Sequence, residues 1–325
     1  MIVYTDSVEF AGQIIPEAAG WDEPMLDPTL RVLADRLYGM RRPRACAVPD
    51  RSEWAHLFLV EAASASQFDV LVELAGAGAA LPDRTLCLAG SGTHFHGSRE
   101  RPWLAPAGNI YLSVYVVPPS DLTHPDVAFT VLAAVSVVDA IDAIPALAGR
   151  AGIKWVNDVV IDDAKVCGVL AHTIRQGARI DGAVLGIGVN VETTPDVPST
   201  PFVPRAQALR EFTDRPSQCR RDAVLRALLA ALDRNYRLLV TGEGDALIRR
   251  YRNRSVVLGR HAVICAEHSG EGGGGVGDRI AEGRVLALDD DLALRVEGVR
   301  RPVRKGRLIL EGGPVPVRSG VHGTA

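Results

Sequence analysis

Three features that would mark common protein classes are missing from this sequence of 325 residues. Positive charge is not in excess: 36 Lys and Arg face 39 Asp and Glu, which excludes a chain-wide basic surface for nucleic-acid phosphates. The five cysteines form no CxxC pair, which excludes a disulfide framework or a cysteine zinc site and fits a reducing compartment. The longest apolar run, Val127 to Ala140, is interrupted by polar residues and shorter than the roughly 20 residues of a membrane span.

These absences favour a soluble, cytoplasmic protein that binds neither DNA nor membranes. The first residues, MIVYTDSVEFAGQ, have no basic segment, so we expect no secretory signal. Hydrophobic residues make up 47% and charged residues 23% of the chain, which is typical of an ordered globular protein.

The length predicts two or three domains. We predict an N-terminal extension of unknown role at 1–52, a catalytic domain at 53–250 and a small C-terminal β-barrel at 251–325. The extension is otherwise irregular but contains one helical pattern, with Leu30, Leu33 and Leu37 on one face. A single helix does not support a helix-turn-helix.

Hydrophobic periodicity predicts an α+β fold, in which a mainly antiparallel sheet packs with helices. The predicted strands of the catalytic domain are His56–Val60, Thr85–Ala89, Ile110–Val117, Lys154–Ile161, Lys165–Thr173 and Ala183–Val191. The predicted helices are Ser66–Ala75, Phe129–Ile144 and Cys219–Val240. Five short β-runs predict the barrel: Ser255–Leu258, Ala262–Cys265, Gly283–Leu288, Ala293–Val296 and Arg307–Leu310. Gly272–Gly275 reads as a flexible insert within it.

Four motifs follow one another in the middle of the chain. WLAPAGNIYLS begins at Trp103, KWVND at Lys154, KVCGVL at Lys165 and GIGVNV at Gly186. In order and spacing they resemble the biotin protein ligase family of the biotin/lipoate protein ligase superfamily, whose patterns are W-x-S-P-x-G-N-L-Y-x-S, K-W-P-N-D, K-[LIV]-[AS]-G-[IL]-L and G-[IA]-G-[ILV]-N. The resemblance covers about residues 54–317.

The resemblance implies a class II synthetase-like ligase fold with a small SH3-like β-barrel after it. It implies an ATP-dependent biotin–protein ligase, which forms biotinyl-AMP and transfers biotin to a lysine of a biotin carboxyl carrier protein. ATP, biotin and Mg²⁺ are the cofactors and substrates that this activity requires, since Mg²⁺ neutralises phosphate charge. The sequence leaves a homodimer open.

The resemblance also assigns site residues. Lys154 is the expected catalytic residue, because an ammonium at a sheet edge can neutralise a carboxylate and then a phosphate oxygen as an acyl-adenylate forms. The expected biotin-binding residues are Ser66, Gln67, Gly97, Arg99, Arg101, Trp103 and Gly168, and the expected nucleotide-binding residues are Asn157, Gly188 and Asn190. Ser66 is equally a candidate N-cap for the helix that follows it.

The sequence departs from the family in the loop before Trp103, where the family reads G-R-G-R-x-G-R-x-W. His96 stands at the first arginine, Ser98 at the second, and Glu100 at the last glycine. A serine or a neutral imidazole does not restore bidentate phosphate recognition, although Arg99 could supply the lost guanidinium from the adjacent position. The alternatives are therefore a lipoate ligase or octanoyltransferase, or a ligase-like binding protein with weakened adenylation.

Two further side-chain types have competing interpretations. Cys167 could be the nucleophile of an acyltransferase, but a small apolar packing role is favoured, because it replaces a small buried residue of the motif. His94 and His96 could bind zinc from one face of a strand. No third ligand is obvious beyond Glu100, so we predict a polar loop and no metal site.

Overall fold

The computed structural model describes residues 1–49, 53–118, 122, 124–177, 179–267 and 277–311. Its strands are β1 (Ile2–Thr5), β2 (Arg44–Ala47), β3 (His56–Ala63), β4 (Thr85–Gly92), β5 (Ile110–Val116), β6 (Gly152–Lys154), β7 (Asp158–Ile161), β8 (Ala164–Gln176), β9 (Arg179–Val189), β10 (His261–Cys265), β11 (Arg279–Leu288), β12 (Leu294–Val296) and β13 (Arg307–Leu310). Its helices are α1 (Val8–Ile14), α2 (Pro28–Tyr38), α3 (Gln67–Gly76), α4 (Pro125–Asp142), α5 (Arg221–Val240) and α6 (Gly244–Asn253).

A nine-stranded sheet in the order β2-β1-β3-β4-β5-β9-β8-β7-β6 forms the body of the molecule. It is mixed: β3 runs parallel to β1 and to β4, and the other neighbouring pairs are antiparallel. The parallel β3–β4 pair needs a crossover, which α3 supplies. The predicted α+β arrangement of a largely antiparallel sheet with helices is confirmed.

Helix α4 is apolar on every side, and other elements cover both of its faces. Its contacts are chiefly with β8 of the sheet and with α5, and its residues from Phe129 to Ile141 are almost all buried. The side chain of Asp139, on α4, accepts hydrogen bonds from Arg234 at 2.8 Å and Asn235 at 2.9 Å, both on α5. These bonds join α4 to α5. Among the helices within the described ranges, none combines the length and hydropathy of a membrane span.

One predicted strand is in fact two. The predicted strand at 154–161 turns back on itself, so that Lys154 at the end of β6 pairs with Asp158 at the start of β7. Hydrogen bonds to β8 hold the turn: the Asn157 side chain donates to the Val169 carbonyl at 2.8 Å, and the Val169 amide donates to the Asn157 carbonyl at 2.9 Å. The predicted strand at 255–258 is also wrong, because this segment forms turns.

The N-terminal residues are more regular than the sequence predicts. Strand β1 pairs in parallel with β3, with Ile2 opposite His56, and β2 pairs with the outer edge of β1. Helix α2 buries Leu30, Leu33 and Leu37, so the predicted helical face is confirmed. The boundary at residue 52 stays a prediction, because residues 50–52 lie outside the described part of the chain.

The C-terminal residues form a separate four-stranded sheet in the order β12-β11-β10-β13. The predicted SH3-like barrel is not confirmed, since the described residues give no ladder between β12 and β13 that would close the sheet. The predicted insert at 272–275 lies outside the described residues. Two hydrogen bonds hold the turn after β6 against its surroundings: Trp155 donates to the Leu292 carbonyl and Tyr251 to the Val156 carbonyl, each at 2.8 Å.

Candidate active site

A cavity of about 710 Å³ lies over β5, β8 and β9 of the large sheet. Eight of the predicted site residues line it: Ser66, Gly97, Arg101, Trp103, Asn157, Gly168, Gly188 and Asn190. Three others do not line it: Gln67, Arg99 and Lys154. The four motifs thus converge on one space, and most of the residues predicted from them face it.

Two glycines make the floor of the cavity. Gly168 of β8 lies directly opposite Gly188 of β9, and the indole of Trp103 rests on both. A Cβ atom would lie 2.9 Å from Trp103 at Gly168 and 2.7 Å at Gly188, which real side chains do not tolerate. The glycines are therefore needed for this close approach. The indole Nε1 of Trp103 is buried and has no hydrogen-bond partner within the described part of the chain.

Asn190 follows the floor strand β9 and is only 1% exposed, yet its Oδ1 has no hydrogen-bond partner among the residues that the structure describes. A buried amide oxygen in this state is costly unless a ligand or water donates to it. The backbone around it is fixed by Asn109, whose Oδ1 accepts hydrogen bonds from the amides of Val191 at 2.8 Å and Thr193 at 3.1 Å. Asn190 is thus a preformed acceptor in the cavity wall.

Lys154 does not line the cavity in this structure. Its ammonium donates to the carbonyl of Phe202, which belongs to a segment, residues 195–206, that borders the cavity. Burial lowers the pKa of Lys154, Asp158 opposes this shift, and the charge of Lys165 adds to it. The Lys154 ammonium therefore lies next to the cavity and binds the segment of residues 195–206, which borders it.

Lys165 faces the cavity and was not among the predicted site residues. Its Nζ lies 2.6 Å from the Asp158 carboxylate and 5.2 Å from the centroid of the Trp103 ring. The amino-acid composition could have identified Lys165 as a candidate site residue. The chain has 33 arginines and three lysines, and Lys154 and Lys165 are two of the three.

Arg307, also missed, reaches the cavity from the first residue of β13. Its guanidinium carbon lies 3.6 Å from the centroid of the Phe202 ring. Burial lowers the pKa of Arg307, and the positive charge of Arg101 lowers it further. Two guanidinium groups near each other at one cavity favour a bound anion. No local signal separates Arg307 from the other arginines of the sequence.

The loop that departs from the family pattern is anchored by its unusual residues. Both oxygens of Asp69, on α3, lie 2.9 Å from His96 Nε2, and the Gly97 carbonyl lies 3.0 Å from His96 Nδ1. Burial alone would lower the pKa of His96, but the Gly97 carbonyl and Asp69 outweigh it and raise that pKa. Arg99 pairs with Glu267, two residues after β10, at 2.5 Å.

Arg99, which could supply the missing guanidinium, does not line the cavity in this structure. Arg101 does line the cavity, and its side chain is held by Ser98, whose carbonyl accepts from Nε at 2.8 Å. His94 binds the Ser64 carbonyl at 3.1 Å, away from the partners of His96. In the described ranges no three His, Cys, Asp or Glu residues come together as a metal site would require.

The remaining predicted residues have the following environments. Ser66 is the N-cap residue of α3 and lines the cavity, but its side chain makes no capping hydrogen bond. Gln67 is 2% exposed, and in the described ranges its Nε2 has no hydrogen-bond partner. Cys167 is fully buried in the core, and burial raises its pKa far above the ordinary value, which fits packing and not a nucleophile.

Comparison with known proteins agrees with this geometry. The fold is that of the biotin protein ligase from Aquifex aeolicus in complex with biotin and ATP, with a TM-score of 0.58 and 22% identity over 78% of this chain and 98% of that one. A biotin protein ligase-like protein of unknown function from Silicibacter sp. has a TM-score of 0.53 and 14% identity over 75% of this chain and 93% of that one. The chain therefore shares its fold with these two proteins.

Sequence comparisons point to the same group of proteins as the fold. Residues 78–190, which contain the loop and the cavity floor, match the sequence model of the Biotin/lipoate A/B protein ligase family. A biotin–[acetyl-CoA-carboxylase] ligase from Paracoccus denitrificans is 34% identical over 31% of this chain and 41% of its own length. The bifunctional ligase/repressor BirA of Bacillus spizizenii is 30% identical over 49% of this chain and 48% of its own length. The match thus spans less than half of these relatives, and the resemblance predicted from the motifs is confirmed.

Proposed function

We propose that this protein is an ATP-dependent biotin–protein ligase. The observation that carries the proposal is a cavity with an unsatisfied buried acceptor, Asn190, and with cationic side chains, Arg101, Lys165 and Arg307, on its wall. An acyl-adenylate needs both: hydrogen bonds for the nucleotide and positive charge for the phosphate. The family of residues 78–190 supports the same chemistry.

In the first step, an oxygen of the biotin carboxylate attacks the α-phosphorus of ATP. The new P–O bond forms as the bond to the β-phosphate oxygen breaks, and pyrophosphate leaves. Lys154 would stabilise the charge on the phosphate oxygens, with its ammonium exchanging the Phe202 carbonyl for substrate. Mg²⁺ would arrive with ATP and neutralise phosphate charge.

In the second step, the neutral amine of a carrier-protein lysine attacks the acyl carbonyl carbon. The C–N bond forms, AMP leaves with the electrons of the C–O bond, and the amine loses a proton. Lys154 would again stabilise the developing charge on the phosphate. The loop from Gly90 to Asn109 would cover the adenylate and exclude water.

We assign the binding roles to residues according to their place at the cavity. Ser66 and Gln67 would hold the ureido group of biotin, since the Gln67 amide has an unused donor. Gly97, Arg101, Trp103 and Gly168 would contact biotin and the acyl-phosphate, while Asn157, Gly188 and Asn190 would border the nucleotide. Arg99 would join them only after leaving Glu267.

The C-terminal residues have a part in the same proposal. We place the domain boundaries near residues 52 and 250 and take the four-stranded sheet as part of an SH3-like barrel that covers the ATP side or meets the carrier. Arg307 at the cavity and the Arg99–Glu267 pair support this arrangement. A cytoplasmic location, a carrier-protein lysine as acceptor and no DNA binding complete it, while a homodimer stays open.

A second function has an observation in its favour. His96 is bound to Asp69 and Arg99 to Glu267, so two loop positions expected to hold phosphate are engaged elsewhere. A binding protein that holds biotin but adenylates it poorly would have such a loop. A lipoate ligase or octanoyltransferase shares the family of residues 78–190.

One assay separates these functions. The purified full chain is incubated with ATP, Mg²⁺, radiolabelled biotin and a biotin carboxyl carrier domain, and both pyrophosphate and labelled carrier are measured. A ligase labels the carrier and loses this activity in Lys154→Ala. A binding protein retains biotin, by calorimetry, without pyrophosphate release. Labelling of a lipoyl domain with lipoate, and none with biotin, would select the acyltransferase branch and refute the biotin ligase.

A further inference from the structure

The ring of His96 has hydrogen-bond acceptors on both sides. Both carboxylate oxygens of Asp69, on α3, lie 2.9 Å from Nε2, and the Gly97 carbonyl lies 3.0 Å from Nδ1. Because a carbonyl and a carboxylate only accept hydrogen bonds, both ring nitrogens have to donate. Neutral imidazole carries one N–H, whereas the imidazolium carries two. The geometry therefore fits the protonated ring, and loss of the proton leaves one of the two contacts without a hydrogen.

The charges near His96 favour the same protonation state. Within the described ranges, the charged groups that act on the ring are two carboxylates: Asp69 from α3, and Glu100 from the loop, whose Oε2 lies 3.9 Å from Nε2. Burial alone would lower the pKa of His96, but the Gly97 carbonyl and the two carboxylates outweigh it and raise that pKa. The His96 side chain is 17% exposed and that of Asp69 38%, so water weakens this ion pair only in part.

His96 belongs to a short hairpin, from Phe95 to Trp103, that reaches the cavity. The Trp103 amide donates to the Phe95 carbonyl and the Gly97 amide to the Arg101 carbonyl, each at 2.8 Å. The second half of the hairpin carries Arg101, which lines the cavity, and Trp103, which rests on the glycine floor. A displacement of His96 therefore displaces two side chains of the cavity wall.

Helix α3, which carries Asp69, forms another part of the cavity wall. Ser66 and Phe68, at its N-terminal end, line the cavity. The ring of Phe68 lies against Gly186 of β9, where a Cβ atom would lie 3.0 Å from it. The helix is thus packed on the sheet, and the His96–Asp69 pair joins the hairpin to it.

We infer that His96 and Asp69 are positioning residues, whose ion pair holds the hairpin against α3 and keeps the cavity closed over bound biotin. The inference rests on the proposed function and adds to it a closure that depends on one proton. No covalent bond forms: the His96 ring exchanges this proton with water. The ion pair is present at low pH and is lost as pH rises through the pKa of His96 in the folded protein.

The test measures biotin binding to the full chain by calorimetry at pH 6 and pH 9. We expect the dissociation constant Kd to rise about threefold between these pH values, the size of effect expected from one partly exposed ion pair. His96→Arg keeps its charge at both pH values, so its Kd should not change with pH. Asp69→Asn should bind biotin weakly at both. His94→Gln is the matched control on the same loop, because His94 binds the Ser64 carbonyl, and its Kd should rise as in the unchanged protein.

The kinetics of pyrophosphate release distinguish positioning from general damage to the fold. Neither residue contacts the reacting atoms in the proposed function, so His96→Gln at pH 6 should raise KM for biotin about threefold and leave kcat within about twofold. A pH-dependent Kd that persists in His96→Arg would overturn the inference. A Kd at pH 6 that Asp69→Asn leaves unchanged would overturn it as well.

A measurement without ligand separates this inference from the proposed function. Hydrogen exchange of the Gly97 and Trp103 amides reports the opening of the hairpin. Their protection factors should fall about threefold from pH 6 to pH 9 in the unchanged protein and stay constant in His96→Arg. Equal pH dependence in both proteins would overturn the inference. Absence of biotin binding, with this difference in protection present, would refute the proposed function instead.

Discussion

Replacing Gly188 by alanine tests the floor of the cavity directly. The new Cβ atom would lie 2.7 Å from Cζ2 and 2.8 Å from Cε2 of Trp103, well inside contact distance. The backbone of Gly188 does not need a positive φ, so the strand itself accepts alanine. The cost is therefore a steric one, and it depends on the indole.

Overpacking of this kind costs about 1–3 kcal/mol of folding free energy. The lower part of that range is expected here, because Trp103 is half-buried on a loop and can move outward. Removing the ring should remove the cost. In the Trp103→Ala background, Gly188→Ala should be neutral or stabilising by about 0.5 kcal/mol, since alanine loses less backbone entropy than glycine on folding.

The assay is a double-mutant cycle by urea unfolding, with the free energy of unfolding measured for all four proteins. We expect a coupling energy of at least 1 kcal/mol between Gly188 and Trp103. Gly12→Ala is the control, because a Cβ at Gly12 in α1 meets nothing within 4 Å, and this change should be neutral or stabilising. Additive costs, within about 0.5 kcal/mol, would refute the stacking of the indole on the glycine floor.

Two further predictions concern the loop before Trp103. Because acceptors face both nitrogens of His96 and raise its pKa above the ordinary value, the stability from its ion pair with Asp69 should be fully present below the unfolded pKa and lost as pH rises through the folded pKa. His96→Gln should thus cost about 1 kcal/mol at pH 5.5 and less at pH 9 by urea unfolding, and an equal cost at both pH values would contradict the pairing. Glu100 has a φ of 56°, which favours glycine, so Glu100→Gly should stabilise the protein by about 0.5 kcal/mol in the same assay, and a clear loss of stability would contradict this.

Long amphipathic or β-branched segments were predictable from the sequence. Strands β5, β8 and β9 and helices α3 and α5 appear within a few residues of the prediction, because their side-chain pattern repeats over seven residues or more. Strands β1 and β2 were not, because four-residue strands carry little pattern. β1 is fixed by its pairing with β3, more than 50 residues away in the chain. The turn after Lys154 was missed because hydrogen bonds to β8 hold it, and those are not local either.

The site shows the same division between local and distant signals. The glycine floor and Asn190 were predictable, because a glycine in a β-rich motif marks close approach by something else. Arg307 was not, because its place depends on how the C-terminal sheet sits beside the cavity, and it is one of 33 arginines. Lys165 was within reach of composition, since a lysine in this chain is rare wherever it occurs.

The loop before Trp103, which departs from the family pattern, is not the main source of positive charge at the cavity. His96 and Arg99, at or beside family arginine positions, connect the loop to α3 and to the residues just after β10. The cations that face the cavity come largely from elsewhere: Lys165 from β8 and Arg307 from β13, with Arg101 from the loop itself. Losing loop arginines therefore does not leave the cavity without positive charge. Under the proposed function, adenylation should therefore depend less on the loop and more on the sheet beneath it.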